Sequence, residues 1–229
     1  MSNLFLDTHI NTIITGDCRS ALPQLPDQCA ALAFADPPYW VDFDYGSKTD
    51  SQMEYIDPHW LVAELRRVAR VVCVTTGMRA KYDYPRPDWE LGWFKFGSTR
   101  RNGIGGFNVW EPIVVYGKPS KRFYQDAINL PDVVNHTKDG DFHKCPKPLK
   151  LLTWIIKGMT QAGDLVIDPV AGSGTTCKAA KMLNRRWLGI EIDPHMTELA
   201  NNRVALCQPL PLVESTEQKP LIWEDQINS

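Results

Sequence analysis

The chain alternates between short apolar runs and stretches in which apolar residues recur every three or four positions. Ala30 to Ala35 reads AALAFA, a continuous apolar run of strand length and the pattern of a strand covered on both faces of a parallel sheet. Val71 to Thr75 is a second such run and Thr12 to Ile14 a shorter one. Asn108 to Tyr116 contains another, closed by Gly117 and Pro119. Asp164 to Ile167 is a strand ending at Asp168, and Trp187 to Ile192 completes the set. Between them, Pro58 to Arg70, Leu149 to Thr160, Thr175 to Leu183 and Pro194 to Leu206 carry helical spacing, and Pro58 suits a first helical turn. Asp17 is placed to cap a short helix over Arg19 to Leu25. Strands alternating with helices predict an α/β fold with a doubly wound, mainly parallel sheet, which binds ligands at the carboxyl ends of its strands.

Composition changes this picture little. The 229 residues are 43% hydrophobic and 23% charged, enough apolar surface for a core. No apolar run approaches the roughly 18–20 residues of a membrane span. The first residues, MSNLFLDTHINTII, show no basic start followed by a long apolar segment, so a cytoplasmic protein is expected. The six cysteines (18, 29, 73, 145, 177 and 207) include no Cys-x-x-Cys pair, which disfavours a zinc site and predicts small buried side chains in a reducing compartment. No metal is expected.

Charge is segregated along the chain although the net charge is only −2. Between Gly92 and Arg122 stand six basic residues, Lys95 among them, and one acid, Glu111. Asp36 to Asp57 holds six acids and one lysine. Any nucleic-acid contact must therefore come from a local patch. After Cys207 the sequence turns proline-rich and polar, so 209–229 is expected to be a loosely packed tail following a single domain over 1–208.

Two stretches carry chemistry. Residues 164 to 193, DLVIDPVAGSGTTCKAAKMLNRRWLGIEID, read as strand, glycine turn, helix, strand. Gly172 and Gly174 permit a tight turn and close approach of a ligand, and the helix N-terminus behind them offers free N–H groups. Glu191 ends the next strand 19 residues after Gly172, near the spacing at which an acid accepts ribose hydroxyls. A P-loop would need a lysine where Thr175 stands, and a dinucleotide fingerprint a third glycine where Cys177 stands. A tight turn without a ligand is one remaining reading. The other is a nucleoside lacking a pyrophosphate, a description that fits S-adenosylmethionine, with Asp168 facing its ammonium and the helix N-terminus its carboxylate.

The second stretch is Asp36-Pro37-Pro38-Tyr39, followed by Trp40, at the end of the AALAFA run. The prolines end the strand because neither has an N–H for the ladder. Together, DPPY and DPVAGSGTT resemble the amino-methyltransferases of nucleic acids, which modify adenine N6 or cytosine N4. The tetrapeptide precedes the glycine loop by 136 residues, the order of the family's β class. Three further segments are similar to the family: ITGDCRSALPQLPD with Asp17, HKCPKP with Lys147 and Pro148, and GIEID with Glu191. Val170 stands where the family commonly has Phe, and Lys144 and Cys145 where it has Pro-Thr.

The resemblance implies a Rossmann-like methyltransferase sheet, S-adenosyl-L-methionine as methyl donor and DNA as partner, with no membrane; a homodimer is compatible with it. Such enzymes are bacterial or phage-encoded. It implies catalytic roles for Asp36, Pro37, Pro38 and Tyr39. It implies cofactor contacts from Asp17, Lys147, Pro148, Asp168, Val170, Gly172, Gly174, Thr175, Thr176 and Glu191. Insertions near 40–57 and 97–142 are expected to recognise the target, with Arg100, Arg101, Lys118, Lys121 and Arg122 as phosphate contacts. An aspartate at the head of the tetrapeptide leans to adenine and a serine to cytosine, so N6-adenine is the first expectation and N4-cytosine the alternative. A catalytically inactive DNA-binding subunit is disfavoured by the intact motifs. A glutamine-amide methyltransferase would begin its tetrapeptide with Asn and carry the glycine loop first.

Overall fold

The computed structural model describes residues 3–38, 55–95, 109–119, 127–129 and 147–211. Eight strands form one sheet among them: β1 (Thr12–Thr15), β2 (Ala30–Ala35), β3 (Ala69–Thr75), β4 (Trp89–Phe94), β5 (Trp110–Gly117), β6 (Ala127–Asn129), β7 (Leu165–Asp168) and β8 (Arg186–Glu191). Their order is β1-β8-β7-β2-β3-β5-β4-β6. Only β5 runs against its neighbours, pairing antiparallel with both β3 and β4 while the other described pairs are parallel. The helices are α1 (Leu4–His9), α2 (Cys18–Ala21), α3 (Pro58–Val68), α4 (Leu149–Met159), α5 (Thr175–Met182) and α6 (Pro194–Ala205).

The continuous apolar runs follow from double coverage. On β2, Leu32 and Phe34 face α4 and α5, while Ala33 and Ala35 face α3 and the segment after α2. On β3, Val71 and Cys73 share the first face and Val72 and Val74 the second. Each fully buried Leu, Val or Phe contributes about 1.5–3 kcal/mol, so a strand lined on both sides is strongly held. A third, smaller cluster joins Ile13 of β1, Ala171 and Cys177 of the glycine turn and its helix, and Ala200 and Val204 of α6. The described cysteines are free thiols, and burial raises Cys18 to about 11 and Cys73 further still.

Differences from the sequence expectation have local causes. Helix α3 stops at Val68 because Ala69 already pairs with Ala30 in the sheet. Strand β4 was not expected, because WELGWF mixes a glutamate and a glycine with its apolar residues; only Leu91 and Trp93 are buried, the alternation of a half-covered strand. Helix α1 was missed as well; it is six residues long, buries none of them and starts where the Asn3 side chain accepts from Leu6 N.

Connections from β2 pass to β3 on one side, and those from β7 pass to β8 on the other. The windings diverge between the adjacent strands β2 and β7, the switch point at which a crevice opens beyond the strand ends. No helix among the described residues is long and apolar enough to cross a membrane.

Candidate active site

Four acids stand at this edge. Asp36 follows β2, Asp168 ends β7, Glu191 ends β8 and Asp17 follows β1. Parallel neighbours place them side by side: Ala33 pairs with Ile167, Asp168 with Gly189, and Thr15 with Glu191.

Asp36 is held on one oxygen from two directions. Thr75 Oγ1, at the end of β3, donates to Oδ1 at 2.5 Å, and Lys147 Nζ lies 2.7 Å from the same oxygen. Pro37 is buried and Pro38 half-buried, so the backbone leaving the sheet is fixed by packing as well as by its locked φ angles. Tyr39 and Trp40 lie outside the described residues.

The glycine turn is tied to both acids beside it. Val170 N donates to Asp168 Oδ1 at 3.1 Å, and the Thr176 hydroxyl also bonds to that carboxyl. Gly172 N donates to Glu191 Oε2 at 2.8 Å, and Asp193 N to Oε1 at 3.0 Å. Gly174 caps α5 with φ +72°, and a Cβ there would meet Ile13 Cδ1 at 2.9 Å and Ala200 Cβ at 3.1 Å. Its glycine is therefore required by the core behind the turn. Thr175 is buried beside it, and from below Arg203 of α6 donates to Ser173 O at 2.9 Å and to the Ser173 and Thr175 hydroxyls at 3.1 Å.

Arg203 was not anticipated, since nothing in sequence separates it from other polar residues of α6. Gly189 also escaped notice. A Cβ there would lie 2.8 Å from Ile13 Cγ1 and 2.9 Å from Cys177 Sγ, and a glycine inside a strand is itself a signal of close approach. Next to Glu191, Ile192 is 63% exposed, an apolar surface facing solvent at the strand edge.

Electrostatics distinguish the acids. Burial pushes Asp168 up to about 7, and the charges of Asp36 and Glu191 add to the effect against its hydrogen bonds. Burial also raises Glu191. Asp17 moves the other way: the Arg19 guanidinium forks onto its carboxylate at 2.5–3.0 Å and lowers it, while Asp17 also caps α2 through Arg19 N, as expected.

A stability consequence follows. Unfolded, Asp168 titrates near 3.8; folded, near 7. Between these values the folded state binds more protons, so this group's contribution falls as pH rises from about 4 to 7, by on the order of 4 kcal/mol in full. Asp168→Asn is expected to gain stability relative to the parent over that window and to hold a constant advantage above it. Thermal melts of both ligand-free proteins from pH 4.5 to 8 check this; a pH-independent difference would contradict it.

The remaining anticipated residues separate into three groups. Lys147 joins the site, but against Asp36, and Pro148 caps the start of α4. Lys118 does not join it. It is exposed just past Gly117, which pairs with Val71 at the start of β3, whereas Asp36 lies beyond the far end of the sheet. The reversal of β5 is the cause, and it separates Lys118 from Asp36. Arg100, Arg101, Lys121 and Arg122 lie outside the described residues. Lys95, part of the basic run, is only 7% exposed, with Nζ 2.7 Å from Glu111 Oε2 and 4.0 Å from the centre of the Trp93 ring. It contributes nothing to a basic surface.

Among known proteins, the DNA methylase family profile, for N6 and N4 methyltransferases, matches residues 78–202. The DNA adenine methyltransferase YhdJ of Escherichia coli (strain K12) is 26% identical over 243 residues, covering 84% of this chain and 82% of the relative. Two solved structures share the fold. The M1.HpyAVI–SAM complex has a TM-score of 0.55 and 20% identity, covering 84% of this chain and 98% of its own. The cytosine-N4-specific PvuII DNA methyltransferase has a TM-score of 0.60 and 15% identity, covering 84% and 89%. The family match spans more than half of the chain and includes the glycine turn and both acids that flank it, and so the chain belongs to the N6/N4 family of DNA methyltransferases.

Proposed function

We propose that this protein transfers a methyl group from S-adenosylmethionine to the N6 amine of adenine in DNA. The observation that carries the proposal is the placement of Asp36, with its rigid Pro-Pro exit, on the strand adjacent to Asp168 at the switch point. The donor set suits the cofactor. Asp36, Asp168 and Glu191 crowd carboxylates around one edge, and a ligand carrying a sulfonium and an ammonium offsets that charge. Glu191, fixed by two backbone donors, is set to accept ribose hydroxyls. The exposed Ile192 offers a face to the adenine ring. A cation docked beside Asp168 would favour its charged form, against the effect of burial.

When bound, the cofactor would supply an electrophilic methyl group, whose bond to sulfur breaks as the bond to nitrogen forms; the methylated, positively charged amine then loses one N–H proton to water or to the Asp36 carboxylate. The protein's task is the poor nucleophile. An exocyclic amine shares its lone pair with the ring, and acceptors on its N–H groups return that density to nitrogen. The Asp36 carboxylate and the Pro37 carbonyl are such acceptors, preorganised by Thr75, Lys147 and the proline rings. The base must leave the duplex to reach them, and Tyr39, with Trp40, would give it a ring to stack on. Arg100, Arg101, Lys118, Lys121 and Arg122 are proposed as phosphate contacts.

Adenine is preferred over cytosine because aspartate heads the tetrapeptide, and the adenine-named relative supports the choice. Single-molecule sequencing of DNA from a methylation-free host expressing the protein is expected to show N6-methyladenine in a recurrent sequence. N4-methylcytosine in its place would overturn the choice of base, and unmodified DNA the activity.

A further inference from the structure

The buried charges on the β5 side of Asp36 form a chain. Lys147 Nζ lies 2.7 Å from Asp36 Oδ1 and 3.4 Å from Glu111 Oε1, while the other Glu111 oxygen, Oε2, takes Lys95 Nζ at 2.7 Å. Signs alternate along the line: Lys95, Glu111, Lys147, Asp36. Lys95 and Glu111 are both under a tenth exposed, and Asp36 is the more open end. Buried ions hold one geometry only when each is matched, and removing one member costs far more than the pair contributes.

We propose that Glu111 is a positioning residue for methyl transfer, acting through Lys147 to set the Asp36 carboxylate against the target amine. It rests on the function proposed above. Three observations support it. First, Glu111 reaches the reaction edge only because β5 is reversed: Ile113 pairs with Thr75 at the end of β3, so Glu111 lies two residues beyond it. Second, each Glu111 oxygen is committed to a different lysine, so the side chain locates Lys147 relative to a fixed point, the Lys95 ammonium over Trp93. Third, Lys147 shares Asp36 Oδ1 with Thr75 Oγ1, so the position of its ammonium helps to set the carboxylate that Thr75 also holds.

Glu111→Gln keeps the shape and removes the charge. Its kcat, measured by radiolabel transfer at saturating DNA and S-adenosylmethionine, is expected to fall roughly 10- to 100-fold, the range of misplaced catalytic groups. Cofactor affinity by calorimetry is expected to stay within about threefold, because the carboxylates nearest the cofactor are untouched. The decisive arm is a double-mutant cycle. In a Lys147→Met background, Glu111→Gln should cost little further kcat, since its effect passes through Lys147. Equal loss in both backgrounds, or parental kcat in Glu111→Gln alone, would overturn the proposal. Should Glu111→Gln fail to fold, Lys95→Met with Glu111→Leu removes both charges of the pair together and carries the same expectation. An inactive parent protein would instead refute the methyltransferase reading itself, so the two failures are distinguishable.

Discussion

Asp36→Ala is expected to lower methyl transfer by about 10³-fold, the cost of deleting a preorganised group that meets developing charge. The substitution removes one acceptor for the target amine and also the carboxylate on which Thr75 Oγ1 and Lys147 Nζ converge. Cofactor affinity should change little, because the turn from Val170 to Thr176 and Glu191 are held by their own bonds, Gly172 N to Glu191 Oε2 among them. The expected signature is therefore a lost kcat with a nearly unchanged calorimetric Kd for S-adenosylmethionine. Asp36→Asn keeps an acceptor oxygen and should fall between the parent and the alanine variant. Retained transfer in Asp36→Ala, measured with radiolabelled methyl donor, would remove Asp36 from the mechanism.

Gly174→Ala should be the most damaging single methyl addition in the turn. Two penalties combine. The left-handed backbone, φ +72°, costs a residue with a Cβ about 1–2 kcal/mol. The new atom would also stand 2.9 Å from Ile13 Cδ1 and 3.1 Å from Ala200 Cβ, overpacking a filled cluster at roughly 1–3 kcal/mol. Gly163 supplies the control: its φ is +86° but nothing lies within 4 Å of its Cβ position. Gly163→Ala should thus lose only the backbone part. Denaturant melts of the two variants isolate the packing cost. Because the turn must move to relieve the crowding, Gly174→Ala should also weaken cofactor binding at least tenfold, whereas Gly163→Ala should not. Equal stability losses would show that the core behind Gly174 yields freely.

Much of the sheet was legible because burial on both faces writes unbroken apolar runs. Ala30 to Ala35 is a strand at the limits expected, and Asp168 and Glu191 end theirs as expected. Apart from α1, Arg203 and Gly189, what was not legible lies on the β4–β5 side. The direction of β5 is not encoded in its own residues; WEPIVVYG is equally apolar read either way. That one unknown hid two facts, that Glu111 lies beside the reaction edge and that Lys118 lies at the opposite one. Lys95 counted toward a basic patch for the same reason, since charge along a sequence does not report which lysine folds inward over Trp93. Lys147 was placed near the cofactor by resemblance, and the structure brings it to Asp36.

The reversed strand also bears on how such a protein changes over evolutionary time. Strands β4 and β5 pair from Trp89–Val115 through Phe94–Trp110, and the Phe94 and Trp110 rings stack with centres 6.3 Å apart where the ladder ends. The segment joining them thus leaves and re-enters the sheet at the reaction edge, through a fixed gate. The ladder between Trp89 and Phe94 fixes both anchors independently of what joins them, and the turn that carries Gly172 and Gly174 is held by its own bonds to Glu191. A lineage that varies what joins these anchors thus inherits the sheet and the glycine turn unchanged.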